Sequence, residues 1–162
     1  MEGLRIAASV CSFVSLLLLI IALATEYWIV DSGGGNSGLW QLCAPSICAS
    51  YGMNVQDYIH ATRAFLLMGM LAGAASFFGL CASFYRFHSQ SISTTRLAVT
   101  ASVIAGVCTL IAMSTFTGVY NDKYSFLPTH YGWSFGLGWA SFPLFLITSG
   151  LAFFIVPSTS EA

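Results

Sequence analysis

The most informative segment of this sequence is Gly38-Leu39-Trp40-Gln41-Leu42-Cys43-Ala44-Pro45-Ser46-Ile47-Cys48. Trp28 precedes this segment and Arg63 follows it. It lies between two uncharged stretches that are each long enough for a membrane-spanning helix, which needs roughly 20 residues. The segment is therefore expected to belong to a loop outside the bilayer.

Four stretches without Asp, Glu, Lys or Arg predict four membrane-spanning helices, at about 6–24, 64–85, 97–120 and 133–156. An apolar residue at the centre of a span favours insertion by about 0.3–0.6 kcal/mol, whereas one charge there costs roughly 2.5–3.5 kcal/mol. The composition agrees, because 57% of residues are hydrophobic and 7% are charged, with a mean hydropathy of +0.80. A soluble domain is disfavoured, and the chain is predicted to be a single membrane domain, 1–162.

The first stretch also has features of a cleaved signal peptide. Arg5 supplies a basic start, and Ala22-Leu23-Ala24 resembles a small-residue cleavage site. A signal-peptide core is about 7–15 residues long, whereas this apolar run continues from Ile6 to Ala24. A retained helix is favoured, and cleavage is the alternative.

The distribution of basic residues favours cytosolic termini. Three of the five Lys and Arg residues would then be inside and two outside, which agrees with the positive-inside rule. Those inside are Arg5, Arg86 and Arg96, and those outside are Arg63 and Lys123. The outer loops would be about 25–63 and 121–132, and the cytosolic loop about 86–96.

The first outer loop is predicted to form a small sheet. Tyr27-Trp28-Ile29-Val30 and Leu39-Trp40-Gln41-Leu42 suit strands, and Gly33-Gly34-Gly35-Asn36 suits a turn. Cys43 and Cys48 could face each other across a hairpin, where opposite Cα atoms lie ~4.5 Å apart. Because disulfides persist on the oxidising side of the membrane, a Cys43–Cys48 disulfide is predicted, and it supports the same orientation.

The order of Trp28, Gly38-Leu39-Trp40, Cys43, Cys48 and Arg63 resembles the signature of the claudin, peripheral myelin protein and epithelial membrane protein superfamily. The resemblance covers nearly the whole chain. The cysteine spacing and Trp133-Ser134-Phe135 are most similar to the lens-fibre membrane intrinsic protein branch. Tyr58-Ile59-His60 resembles a natural-killer-cell granule membrane protein branch, so the branch is left open.

The resemblance implies a fold and a range of functions. The fold is a left-handed four-helix transmembrane bundle capped outside by a small antiparallel sheet, with one strand near Asn121 to Leu127. The implied function is cell–cell contact, junction formation or membrane apposition at the plasma membrane. The implied partners are the same or related claudin-like proteins, in cis or in trans.

Two alternative functions are kept. The chain could be an auxiliary subunit that regulates the assembly or trafficking of another membrane protein, in granules or vesicles, because its short tails and uncharged interior fit this equally well. A paracellular or membrane pore is the weaker alternative, because no acidic or basic residue within the predicted helices marks an ion pathway.

The motif residues Trp28, Gly38, Leu39, Trp40 and Arg63 are expected to be structural. Trp40, with Leu39 and Trp28, is predicted to anchor the outer sheet, because Trp combines a large apolar face with one N–H donor. Direct contact with a partner is the alternative, since Trp is enriched at interface hot spots. Arg63 is predicted to hydrogen-bond sheet carbonyls or a carboxylate, with snorkelling to headgroups as the alternative.

Two glycine pairs and one proline are candidates for helix packing. Gly69 with Gly73 and Gly132 with Gly136 have small-xxx-small spacing, which lets helices approach closely. Packing within the bundle is favoured over self-association. Pro143 removes one backbone hydrogen bond and is predicted to kink the fourth helix.

The motif content does not indicate an enzyme. Cys43 and Cys48 lack the two-residue spacing of a redox CxxC motif, and the three histidines fall in or beside loops on both sides of the membrane. A phosphate-binding glycine loop, a nucleophile elbow and a basic nucleic-acid patch are all absent from the sequence. The lipid bilayer and other membrane proteins are the expected partners, with no cofactor, metal or nucleic acid.

Overall fold

The computed structural model describes residues 2–83 and 88–155. In this part of the chain four helices dominate, and each is long and apolar enough to cross a membrane. The helices are α1 Glu2–Ala24, α2 Asp57–Ser83, α3 His88–Tyr124 and α4 Trp133–Ile155. The prediction of a four-span membrane protein is therefore confirmed.

The helices extend beyond the apolar stretches that predict them. α2 begins at Asp57 rather than near residue 64, so the end of the predicted first outer loop is helical. α3 begins at His88 rather than near residue 97, and it includes most of the predicted cytosolic loop. Hydropathy marks the part of a helix that suits the bilayer, whereas helical hydrogen bonding continues through polar residues until a breaker intervenes. Residues 84–85 and 156 of the predicted spans lie outside the described residues.

The helices form a bundle in which α2 packs mainly against α3, and α1 mainly against α4. Fully buried Leu19, Leu66, Met113 and Phe145 lie in its largest apolar core. Between α2 and α3 the hydroxyl oxygens of Ser76 and Ser102 lie 2.5 Å apart, which pairs two polar groups that the bilayer could not hydrate.

The predicted glycine pairs behave differently in the bundle. A Cβ atom on Gly69 would lie 3.2 Å from Thr109 Oγ1, and one on Gly73 would lie 2.9 Å from the Phe145 ring. This pair therefore packs within the bundle.

The prediction that Gly132 and Gly136 form a helix-packing pair is wrong for this bundle. α4 begins only at Trp133, so Gly132 belongs to the link before the helix, where it meets the backbone of Tyr27. Gly136 has open space where a Cβ would be. α4 continues through Pro143, and a kink there stays a prediction.

A five-stranded antiparallel sheet caps one end of the bundle in the order β4-β3-β2-β1-β5. The strands are β1 Ile29–Asp31, β2 Asn36–Ser37, β3 Gln41–Cys43, β4 Cys48–Ser50 and β5 Thr129–Tyr131. β1 pairs with β5 through Ile29 opposite Tyr131, which joins the two connections on this side of the bundle. β1 and β3 begin two residues later than predicted, because Trp28 and Leu39 turn into the core instead.

The strand implied near Asn121 to Leu127 is wrong. α3 continues to Tyr124, and the strand from this connection is Thr129–Tyr131 instead. Pro128 sits immediately before the strand, where a residue without an N–H does not remove a ladder hydrogen bond. A helix that is polar at its end carries no hydrophobic signal, so its continuation could not be seen in the hydropathy pattern.

Candidate interaction site

Two indole rings fix the first connection to the end of α1. The Trp28 Nε1–H donates to the Ala22 carbonyl at 2.7 Å, and the Trp40 Nε1–H donates to the Leu23 carbonyl at 2.9 Å. The last four carbonyls of a helix have no partner within the helix, so these bonds satisfy two groups near the membrane boundary. The first connection therefore supplies two of the hydrogen bonds that the end of α1 lacks.

The indoles differ in burial. Trp28 is fully buried, and its ring meets Phe116 edge-on at a centroid distance of 4.9 Å. Leu39 is also fully buried, whereas Trp40 is 39% exposed. Trp28 and Leu39 thus belong to the core, and Trp40 lies at its edge.

Arg63 joins α2 to the same connection. Its side chain is 5% exposed, and its Nε donates to the Leu39 carbonyl at 2.8 Å, as does Nη2 at 2.5 Å. Nη1 donates to the Gly52 carbonyl at 3.3 Å, and the guanidinium carbon lies 4.5 Å from the centroid of the Trp40 ring. Trp28, Leu39, Trp40 and Arg63 together are called the anchor cluster below.

Gly38 has a steric reason to be glycine. A Cβ atom there would lie 2.7 Å from both the Glu26 Cα and the Thr25 carbonyl oxygen. The Glu26 carboxylate also accepts a hydrogen bond from the Gln41 amide. The chain leaving α1 therefore passes directly against the Gly38-Leu39-Trp40 segment.

A Cys43–Cys48 disulfide is present, as predicted. The two cysteines are opposite each other in the ladder between β3 and the edge strand β4. Closing so short a loop contributes only about 2 kcal/mol in the chain-entropy model. The bond therefore fixes the local shape of the hairpin rather than the whole bundle.

Trp40→Ala is expected to lower the free energy of unfolding by about 2 kcal/mol, because the half-buried indole loses both packing and its bond to Leu23. Trp40→Phe should lose less, since an aromatic ring remains under Arg63. Thermal unfolding in detergent and surface labelling on cells would measure both variants. Normal stability and surface delivery of Trp40→Ala, together with lost partner association, would contradict an anchoring role and favour direct contact.

Three large apolar side chains project from the connections on the sheet side. They are Ile47, Met53 and Phe126, whose side chains are 69%, 77% and 79% exposed, respectively. Ile47 lies in the turn between β3 and β4, and Phe126 lies between α3 and β5. These three residues are called the apolar tips. Sequence reasoning missed them individually, and the available signal was a single apolar residue within a turn segment such as Ala44-Pro45-Ser46-Ile47.

A cavity of about 440 Å³ lies between the sheet and the end of α3. Its walls include Leu42, Pro45 and Leu127, with the Asp31 carboxylate among the lining groups. The Asn36 Oδ1 atom in this lining is buried and has no hydrogen-bond partner among the described residues. The sheet thus offers an apolar recess with acceptor groups in its lining.

Burial raises the pKa values of two tyrosines on this side of the bundle. Burial raises the pKa of Tyr51, an effect opposed by its hydrogen bond with Ser37 and by the charge of Arg63. Burial also raises the pKa of Tyr131, and the neighbouring Tyr120 adds to the increase. Tyr51 and Tyr131 therefore act as neutral hydrogen-bonding groups.

The remaining candidate chemical groups are dispersed. Cys11, Cys81 and Cys108 are free thiols in three different helices. Within residues 2–83 and 88–155, no three His, Cys, Asp or Glu side chains are grouped so that they could hold a metal ion. The arrangement that the structure does bring together is the anchor cluster beneath a sheet with exposed apolar tips.

This fold and site define a four-span membrane protein whose sheet carries a disulfide. Two indoles and an arginine tie this sheet to the helices. The chain belongs to the PMP-22/EMP/MP20/Claudin family, whose model matches residues 2–152. The resemblance inferred from the sequence motifs is therefore confirmed.

The chain is similar to several curated proteins, of which three illustrate the range. Protein NKG7 of Mus musculus is 31% identical over 157 residues, which cover 94% of this chain and 91% of that protein. Lens fiber membrane intrinsic protein of Rattus norvegicus is 30% identical, covering 81% of this chain and 79% of that protein. Epithelial membrane protein 1 of Oryctolagus cuniculus is 27% identical, with coverages of 78% and 80%. Both branches suggested by the sequence are represented, so the branch stays open.

Proposed function

We propose that this protein is a non-enzymatic structural protein that mediates contact or apposition between membranes through its sheet. The observation that carries the proposal is the set of three apolar tips, 69–79% exposed, in the connections that flank a sheet held to the bundle by the anchor cluster. Large exposed apolar side chains are typical of protein interaction sites, especially where a rigid base limits the ordering cost of binding. The proposed partner is a second copy or a related family member.

The proposed orientation places the sheet outside the cytosol and both termini inside. The Cys43–Cys48 disulfide supports this orientation, because disulfides persist mainly in oxidising compartments. Arg5 and Arg96 lie on the opposite side and support it as well. The sequence adds Arg86, which lies outside the described residues. In this orientation the apolar tips would face a neighbouring cell or the lumen of a compartment.

The edge of the sheet supports the same function. β4 is exposed along its length, and among the described strands it pairs with β3 alone. A free edge offers N–H and C=O groups to an added strand, and apolar side chains beside it provide specificity. Contact through β4 would therefore use the turn that carries Ile47.

A second candidate function is control of the assembly or trafficking of another membrane protein, in granule or vesicle membranes. Two observations favour keeping this candidate. The match to Protein NKG7 extends over 94% of the chain, and Tyr58-Ile59-His60 carries the sequence resemblance to the granule-membrane branch. A pore is the weakest candidate, since none of the described helices places an acidic or basic side chain at the middle of its span.

Mixed-cell imaging would test the proposed function. Tagged protein should be enriched at contacts between two expressing cells, and not at contacts with non-expressing cells. Ile47→Ser and Phe126→Ser should reduce this enrichment severalfold while surface delivery is unchanged, because both side chains are exposed. Ser46→Ala is the matched control, since it changes the exposed neighbour of Ile47 without removing an apolar group.

Two results would argue against contact. One is equal enrichment of the Ile47→Ser and Phe126→Ser variants and the parent at cell contacts. The other is retention of the parent in granules together with a single dominant membrane partner in affinity purification, which would favour the second candidate function.

A further inference from the structure

Three tyrosine rings line a cavity of about 320 Å³ beside the end of α3. The ring centroids of Tyr120 and Tyr124 are 5.1 Å apart, and those of Tyr120 and Tyr131 are 6.0 Å apart. These residues belong neither to the anchor cluster nor to the apolar tips. Tyr120, Tyr124 and Tyr131 are called the tyrosine cage below.

Two of the rings are backed by phenylalanines. Tyr120 is parallel to Phe116, with an interplanar angle of 3° and a centroid distance of 5.8 Å. Tyr131 stacks on Phe135, at 16° and 4.0 Å. A stacked neighbour covers one face of an aromatic ring, so a ligand in the cavity could contact only the opposite face of Tyr120 or Tyr131.

Hydrogen bonds fix the orientations of the rings. The Tyr131 hydroxyl donates to Asn121 Oδ1, and the Tyr120 hydroxyl is 2.8 Å from Thr129 Oγ1. The Tyr124 hydroxyl accepts a bond from the Gln56 amide at 2.6 Å. The cage is therefore organised before any ligand arrives, which reduces the entropic cost of binding.

The chemistry of this cavity suits a quaternary ammonium group. An aromatic face attracts a cation within about 6 Å of its centroid, and sets of aromatic rings recognise choline-type groups in this way. Among the described lining residues none is Lys or Arg, so no permanent positive charge competes. Lys123, on the same helix, contacts the Gln56 Oε1 atom at 3.5 Å and lines a different cavity.

The rim of the cavity suits the phosphate that accompanies choline in lipids. Asn121, Ser125 and His130 are exposed polar residues in its lining. Because Asn121 Oδ1 accepts the Tyr131 hydroxyl, its amide nitrogen is the group that can donate to a ligand. Amide and hydroxyl donors bind phosphodiester oxygens.

The position of the cavity matches the level of lipid headgroups. The candidate span of α3 ends at Tyr124, and α4 begins at Trp133. Trp133 is half-exposed and stacks on Tyr27 at 5.4 Å, an arrangement typical of the aromatic belt at a membrane boundary. We propose that the tyrosine cage binds the phosphocholine group of a bilayer lipid. This site is separate from the proposed contact function and can fail or hold without it.

Native mass spectrometry of the purified full chain in detergent would test this proposal. The protein would be titrated with dioleoyl-phosphatidylcholine or with dioleoyl-phosphatidylethanolamine, which has the same chains and a smaller, more strongly hydrated ammonium. We expect about fivefold tighter binding of the choline lipid, within the range of a desolvated cation–π contact. Tyr124→Leu should bring the two lipids to near-equal binding, whereas Tyr124→Phe should keep the preference because the ring remains.

The outcomes separate the possibilities. Equal binding of the two lipids by the parent protein overturns the proposal, and so does an unchanged preference in a folded Tyr124→Leu variant. The comparison on the parent needs no variant, so a folding failure of Tyr124→Leu leaves the test intact. If the parent protein prefers the choline lipid, soluble phosphocholine can be added to displace it. Displacement shows that the headgroup alone is recognised, and failure to displace shows that the acyl chains contribute. Both results support binding at the tyrosine cage.

Discussion

Gly132→Ala is expected to abolish delivery of folded protein to the cell surface. A Cβ atom at this position would lie 2.8 Å from the Tyr27 carbonyl carbon and closer still to its oxygen, as well as 3.0 Å from a Val30 methyl. The obstacle is backbone rather than a flexible side chain, so either β1 or the start of α4 has to move. We expect a loss of about 3 kcal/mol or more, measured by thermal unfolding of purified protein in detergent.

Gly136→Ala is the matched control for this prediction. Gly136 lies four residues later, within the first turn of α4, and nothing is within 4 Å of the position that its Cβ would take. The substitution should be neutral or stabilising by up to about 1 kcal/mol, because alanine is the better helix former. Equal unfolding temperatures for the two variants would show that Tyr27 and Gly132 do not approach each other this closely.

Arg63→Ala is the second substitution with a large expected effect. The guanidinium is 5% exposed and donates to two backbone carbonyls, so its removal leaves the Leu39 and Gly52 oxygens without these bonds. A hydrogen bond from a charged donor contributes about 1.5–3 kcal/mol, so the expected loss is about 3 kcal/mol. Surface labelling and thermal unfolding in detergent would measure it.

Arg63→Lys should recover only part of that stability. A lysine ammonium keeps the charge but lacks the planar fork that reaches both carbonyls and lies over the Trp40 ring. Arg96→Ala is the control, because Arg96 is an exposed arginine at the opposite side of the bundle. If Arg63→Lys and Arg63→Ala both traffic and unfold like the parent protein, specific pairing at Arg63 is refuted.

The membrane-spanning part of the fold was predictable because a helix that crosses the bilayer requires a long uncharged stretch of sequence. A run such as 6–24 has no charge, and in lipid a helix is the available way to satisfy its backbone. The disulfide between Cys43 and Cys48 was predictable for a similar reason, since a short hairpin brings the two residues together locally.

The parts that could not be predicted depend on contacts distant in sequence. The indole of Trp28 reaches a carbonyl of α1, and Gly132 touches the backbone of Tyr27. Neither contact follows from periodicity or spacing. The Gly132–Gly136 prediction failed because equal spacing does not show where a helix begins.

The ends of the helices were misplaced for another reason. The predicted spans began near residue 64 and ended near residue 120, because residues 57–63 and 121–124 include charged and polar side chains, yet both segments are helical. The tyrosine cage lies near one such end, which explains why the sequence pattern indicated only interfacial aromatic residues there. Its geometry depends on the helical position of Tyr120 and Tyr124 relative to β5.

The strand order of the sheet means that the sheet is completed only late in the synthesis of the chain. β1 to β4 all come from the first connection, but β1 lies between β2 and β5, and β5 is made only after α3 has been synthesised. Until then, the newly made sheet has an open edge at β1 as well as at β4. Open edges attract strands from other chains. A chain truncated after α3 would therefore expose the edge of β1, which in the full chain is paired with β5, so that β5 becomes the edge strand instead.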